Sequence, residues 1–163
     1  MTARESFVSG YHFHRLMDTT LPDLNGSDFV MKHAPRSAYR SIEPYETKDG
    51  SEIRELMHPA VQGNRNQSFA EATVLPGATT ALHRHNVTEE IYHITHGAGM
   101  MTLGAEQFTV AAGDTICIAP GTPHCIENTG DTPLKILCAC SPAYAHEDTE
   151  SVDASAVRET PPR

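Results

Sequence analysis

The sequence predicts an all-β fold, a sandwich or a barrel, on three observations. Past about residue 40 a helical 3.6-residue period is scarce, short β-rich runs recur in its place, and glycine and proline punctuate them at close intervals. With 163 residues and 39% apolar content, the chain is long enough for one domain with a core of its own.

In chain order the runs are IREL (53–56), SFAEATVL (68–75), EEIYHIT (89–95), MMTL (100–103), QFTV (107–110), TICI (115–118), HCIEN (124–128) and PLKILCAC (133–140). Turn chemistry separates them: Lys48-Asp49-Gly50 precedes the first, Pro76-Gly77 closes the second, Leu103-Gly104 parts MMTL from QFTV, and Ala112-Gly113-Asp114 parts QFTV from TICI. In PLKILCAC, Leu134, Ile136, Cys138 and Cys140 share one parity and so one buried face. Residues 1–40 show no clear period beyond a short helical turn in HFHRLMDTTL. They form an N-terminal extension placed to wrap the β domain or a neighbouring subunit. The domain proper spans 41–142, and the acidic, proline-terminated stretch 143–163 reads as a partly ordered polar tail.

Composition excludes several partners. Twelve Lys and Arg against twenty-one Asp and Glu leave a net charge of −9, which opposes nucleic acid and anionic membrane surfaces. The N-terminus has no apolar run of signal-peptide length, and no window approaches the roughly 20 apolar residues of a membrane helix. The expectation is a soluble, cytoplasmic protein. Cys117, Cys125, Cys138 and Cys140 lack the paired spacing of a zinc knuckle and read as reduced core thiols, with a thiol near a functional site as the alternative.

The chemistry concentrates in ALHRHNVTEEIYHITHGAG (81–99). On a strand, His83 and His85 project to one face and Arg84 to the other. Asn86-Val87-Thr88 makes a turn that resets the parity. Beyond it, Glu90, Tyr92 and Ile94 share one face, opposite to Glu89, Ile91, His93 and Thr95. The first set carries more apolar bulk and turns inward, so Glu90 joins the two histidines while Glu89 faces out.

A longer pattern surrounds this stretch: Gly77, His83-Arg84-His85, Glu90, Gly97, then fifteen residues, then GDTICIAPGTPH (113–124) and Asn128. These two blocks resemble the paired motifs of the cupin superfamily, in its small single-domain, metal-binding form. Ala119 stands where the second motif carries proline, while Gly121, His124 and Asn128 keep register. The resemblance implies a double-stranded β-helix, or jelly-roll barrel. It also implies a metal held by His83, His85, Glu90 and His124, and a homodimer. Three imidazoles and a carboxylate suit one divalent first-row metal: Fe, Mn, Co, Ni, Cu or Zn. An octahedral ion would keep two positions for a small oxygenated substrate.

Other residues are open candidates. Tyr92 is either a packed core tyrosine or a hydrogen-bonding or acid/base group beside the metal. Glu71, an acid in an otherwise apolar run, is a pocket acid if it faces inward, which the period alone does not decide. These two are the catalytic candidates. Gly77, Gly97, Gly113 and Gly121 read as corners, and Asn128 as a backbone-satisfying amide near the mouth. His12, His14, His93 and His96 read as surface or interface residues, and His58 as a group approaching the mouth. Ile94, Ile116, Ile118, Ile126, Leu134 and Ile136 are expected to line the pocket, with no Lys or Arg belonging to the inward set. The functional expectation is a metal-dependent enzyme acting on a small oxygenated molecule, with a non-haem dioxygenase ahead of an isomerase, epimerase, decarboxylase or lyase. A non-catalytic sugar-binding protein is the remaining alternative.

Overall fold

The structure, a computed structural model, describes residues 35–47 and 49–153. The helical turn expected in HFHRLMDTTL, the His12 and His14 pair, and Lys48 lie outside the described residues. The all-β expectation holds. Strands β1 (Tyr45–Glu46), β2 (Glu52–Met57), β3 (Ser68–Val74), β4 (His83–His85), β5 (Glu89–His96), β6 (Ala98–Leu103), β7 (Glu106–Ala111), β8 (Thr115–Ile118), β9 (His124–Asn128), β10 (Leu134–Ser141) and β11 (Thr149–Ser151) are joined by turns and one short helix, α1 (Pro59–Gln62).

The strands form two antiparallel sheets, one ordered β1-β2-β3-β10-β5-β8 and the other β11-β4-β9-β6-β7. Alternation sorts the side chains. On β10, Leu134, Ile136, Cys138 and Cys140 are buried, as their shared parity predicts. Their inward face meets Met101, Val110 and Ile126 of the other sheet in one core. Ile94, Met101, Ile118, Ile126, Leu134 and Ile136 are almost wholly buried, each contributing about 1.5–3 kcal/mol by leaving water.

Register carries the inward residues into rows across the six-stranded sheet. One row runs Glu55, Ala70, Cys138, Tyr92, Ile116, and the next runs Ser68, Cys140, Glu90, Ile118. Two glycines allow the sharp passage from β5 into β6 and onto β9. Gly97 has φ +84°, and a Cβ there would approach the Leu134 backbone to 3.0 Å. A Cβ on Gly99 would lie 2.5 Å from the Glu127 carbonyl, so only glycine fits. Gly77, Gly113 and Gly121 also take positive φ at their turns.

The segment after residue 142 differs from its reading as a tail. A 3-10 turn at His146–Asp148 leads into β11, which pairs with β4 through Thr149↔His85, Glu150↔Arg84 and Ser151↔His83. Its polar side chains, which make it look like a solvated tail, are used locally. The Asp148 carboxylate accepts from the Val87 and Thr88 N–H groups at 3.0 Å each, holding the 86–88 turn, and Glu150 pairs with Arg84 at 2.8 Å. Among the described residues no helix is long and apolar enough to cross a membrane.

Candidate metal centre

His83, His85, Glu90 and His124, the set that the resemblance implies, come together between the two sheets. All four are buried, and one potential ligand atom from each lies within 4.8 Å of all the others. Strand β4 aims both histidines inward and sends Arg84 outward to Glu150. His124 opens β9 directly opposite His83. Glu90 arrives from the other sheet because the 86–88 turn resets the alternation, leaving Glu90 buried and Glu89 exposed.

The hydrogen bonds fix which imidazole nitrogens face the centre. His83 Nδ1 lies 2.9 Å from the Ala81 carbonyl and His124 Nδ1 lies 3.0 Å from the Thr122 carbonyl. Carbonyls only accept, so both Nδ1 atoms carry hydrogen. His85 Nδ1 lies 3.1 Å from Thr149 Oγ1, whose own hydrogen goes to the Ala145 carbonyl, so His85 Nδ1 is again the donor. In the neutral rings every Nε2 is then a lone pair. His85 Nε2 sits 3.2 Å and His124 Nε2 3.4 Å from the same Glu90 Oε2, and His124 Nε2 is buried with no hydrogen-bond partner. Three nitrogen lone pairs converging on a carboxylate repel one another until a cation, a proton or a metal ion, comes between them. The donor set therefore fits a divalent metal.

The electrostatics agree. Burial opposes ionisation of Glu90, but when a proton supplies the intervening cation, the hydrogen bonds and charge of His124, then of His85, outweigh it and hold the carboxyl down at about 2. Burial, then the neighbouring His124, lowers His83, which keeps that imidazole in its metal-binding neutral form. Tyr92 rises well above its ordinary value through burial and the Glu90 charge, so its hydroxyl stays protonated. Its ring lies 5.9 Å from that of His124. The Cys140 thiol donates to Glu90 Oε1 at 3.4 Å, and burial, then Glu90, pushes its titration up. A thiol thus stands beside the site as a neutral donor.

The cluster opens into a cavity whose walls carry Tyr92 and, among the described residues, neither Lys nor Arg. Glu71 requires a correction. It lies on the outer face of β3, where Tyr39 donates to it and Lys135 pairs with it at 3.1 Å, because the buried parity of that strand is Ser68, Ala70, Ala72, Val74. Of the six aliphatic residues expected on the wall, Ile126 and Ile136 line it, while Ile94, Ile116, Ile118 and Leu134 pack into the core. His58 caps α1 and contacts the Tyr144 carbonyl outside the cavity wall. Asn128 bonds Val74, Thr132 and Gly130 backbone groups at the end of β9 opposite to His124, away from the metal cluster.

Four titratable wall residues are not marked by the sequence pattern: Tyr45, Asp49, Glu55 and Tyr144. The parity of Ser51, Ile53 and Glu55 could have placed Glu55. Tyr144 had no signal, since its segment reads as solvated.

The cupin domain profile matches residues 70–140. The Methanocaldococcus jannaschii protein MJ1618 is 55% identical over 118 residues, covering 72% of this chain and 94% of that one. An oxalate-binding protein of Thermotoga maritima is 34% identical over 112 residues, covering 69% and 93%. Among solved structures, a predicted oxalate decarboxylase from T. maritima superposes with a TM-score of 0.58 at 28% identity, over 64% of this chain and 96% of that one.

Proposed function

Because this chain belongs to the cupin family, we propose that it is a metal-dependent enzyme in which His83, His85, Glu90 and His124 hold one divalent first-row metal that a small oxygenated substrate chelates. The observation that carries this is the convergence of three Nε2 lone pairs and one carboxylate on a single buried point. Such an ion supplies Lewis acidity and, if redox-active, electrons for dioxygen.

The chain's own residues set the conditions for that chemistry. The Nδ1–H bonds orient the imidazoles, and Glu90 leaves a net positive charge on a divalent ion, which attracts an anionic oxygen chelate. Ile126, Ile136, Ala70 and Cys138 form an apolar wall that excludes competing water. Tyr92, Cys140 and Tyr144, whose ring lies 5.9 Å from that of His85, are held protonated and do not serve as bases. Dioxygenation of an enolisable or catechol-like ligand needs no protein base once the ligand binds as an anion. This supports the dioxygenase reading. Decarboxylation is the second reading, favoured by the oxalate-binding and oxalate-decarboxylase relatives.

Four free cysteines support a reducing, cytoplasmic setting. The cross-strand row Phe69, Ala139, Ile91, Cys117 on the outer face of the six-stranded sheet, with Phe69 and Ile91 exposed, supports a homodimer.

Fe(II)-loaded protein with β-dicarbonyl or catechol-like ligands tests the reaction. Oxygen uptake that depends on ligand and is lost in His83→Ala supports dioxygenation. Carbon dioxide release under strict anaerobiosis, without uptake in air, selects decarboxylation. Chelation without turnover in either atmosphere leaves a binding protein.

A further inference from the structure

The wall facing the metal cluster carries a second polar feature. Glu55 on β2 lines the same cavity, and its Oε1 is buried with no hydrogen-bond partner among the described residues. Its carboxyl is hydrogen-bonded by the Tyr45 hydroxyl. Burial raises its titration above the ordinary carboxylate range, against the opposing pull of His58 and Tyr45. Glu55 thus brings to the cavity wall a buried carboxyl oxygen that no group among the described residues engages, a costly arrangement in the absence of a partner.

The sheet register measures its separation from the metal. Glu55 shares a row with Ala70, Cys138 and Tyr92, and Glu90 is in the adjacent row of the same strand as Tyr92. Three strand spacings put the Glu55 and Tyr92 backbones about 14 Å apart. Between them the inward side chains are small: Ser68 and Ala70 on β3, Cys138 and Cys140 on β10. Further along the same strands Val74, Leu134 and Ile136 fill the core. Small side chains thus line the stretch of wall between the metal cluster and the Glu55 carboxyl.

We infer that Glu55, oriented by Tyr45, is the distal end of a two-ended site, which takes an elongated ligand with an oxygen-chelating head at the metal and a hydroxyl tail that donates to Glu55. This rests on the chelation reading above and narrows its substrate class. A two-carbon diacid bound at the metal ends short of Glu55. An anionic tail is disfavoured because Asp49 and Glu55 stand on the wall, which among the described residues carries neither Lys nor Arg.

Three hydroxamates share one chelating head and test the inference on Co(II)-loaded protein, read by the cobalt absorption spectrum: acetohydroxamate, 4-hydroxycinnamohydroxamate and 4-carboxycinnamohydroxamate. The hydroxyl tail should gain about tenfold over the carboxyl tail, the scale of one buried hydrogen bond. Glu55→Ala should erase that gain, and Glu55→Gln, which keeps a hydrogen-bonding amide, should retain most of it. Acetohydroxamate affinity and cobalt stoichiometry should not change in either variant, which also shows that they fold. Equal binding of the two tailed probes by the unaltered protein, or an undiminished preference in Glu55→Ala, overturns the distal subsite while leaving chelation intact. Failure of acetohydroxamate to perturb the cobalt spectrum overturns the chelation reading itself, and the subsite with it.

Discussion

Glu90 on one sheet and His124 on the other meet across the interior, Oε2 to Nε2 at 3.4 Å, each completing a donor set that neither sheet contains alone. His83 lies directly opposite His124 in the ladder, so the five-stranded sheet presents its three imidazoles as a preformed face. The carboxylate closes that face from the other side.

Removing one imidazole should therefore break the site without breaking the fold. His83→Ala, His85→Ala or His124→Ala should each lower affinity for Co(II) or Zn(II) by more than about 100-fold, beyond the 10- to 100-fold typical of losing only an orienting partner. The far-ultraviolet circular dichroism should be retained, since the aliphatic core supplies most of the buried apolar area. Full metal occupancy in His124→Ala would remove that residue from the ligand set.

The paired glutamates offer a test of strand parity. Glu90→Gln removes the only carboxylate of the cluster and should weaken metal binding severely, while Glu89→Gln, on the exposed face, should leave the dissociation constant within about twofold. Equal losses would show that the turn at 86–88 does not set the inward face as described.

That parity was legible in the sequence because a turn interrupts two short alternating runs, and the apolar bulk of Tyr92 and Ile94 decides which face is inward. Leu134, Ile136, Cys138 and Cys140 were legible for the same reason. Glu71 was not. In SFAEATVL both parities mix polar and apolar residues, and Phe69 occupies the outer face beside Glu71, so alternation gives no direction. The β11 contribution was hidden because an acidic, polar segment has the composition of a tail. Its value lies in pairing with β4, more than 60 positions back in the chain, a relation that local composition does not carry.

That long-range contact is itself testable. Thr149 accepts the His85 Nδ1 hydrogen at 3.1 Å. Thr149→Val removes this partner at nearly constant volume and should weaken metal binding about tenfold, with Thr149→Ser restoring it. Isothermal titration with Zn(II) distinguishes the three proteins, and unchanged affinity in Thr149→Val would show that β11 only covers the site.

Acid should destabilise the metal-free protein in two stages. His83 titrates below its ordinary value of 6.5, so the unfolded chain binds the proton first, and stability is fully present above 6.5 and lost as pH falls toward the folded value. Glu90 is lowered from 4.5 to about 2, so its contribution is lost over that range. Urea midpoints measured from pH 8 to pH 4 should fall from about 6.5 downward, and His83→Ala should flatten the first stage. A midpoint independent of pH over this span would contradict the buried, neutral imidazole.

The central claim is that one divalent metal sits among His83, His85, Glu90 and His124. X-ray absorption on protein purified without added metal, together with elemental analysis of the same sample, addresses it most directly. One first-row metal per chain, with nitrogen and oxygen scatterers at about 2.0–2.2 Å and the outer-shell signature of three imidazoles, is the predicted result. A metal ligated by sulfur, fewer than two imidazoles in its shell, or an unchanged spectrum in His124→Ala would contradict it.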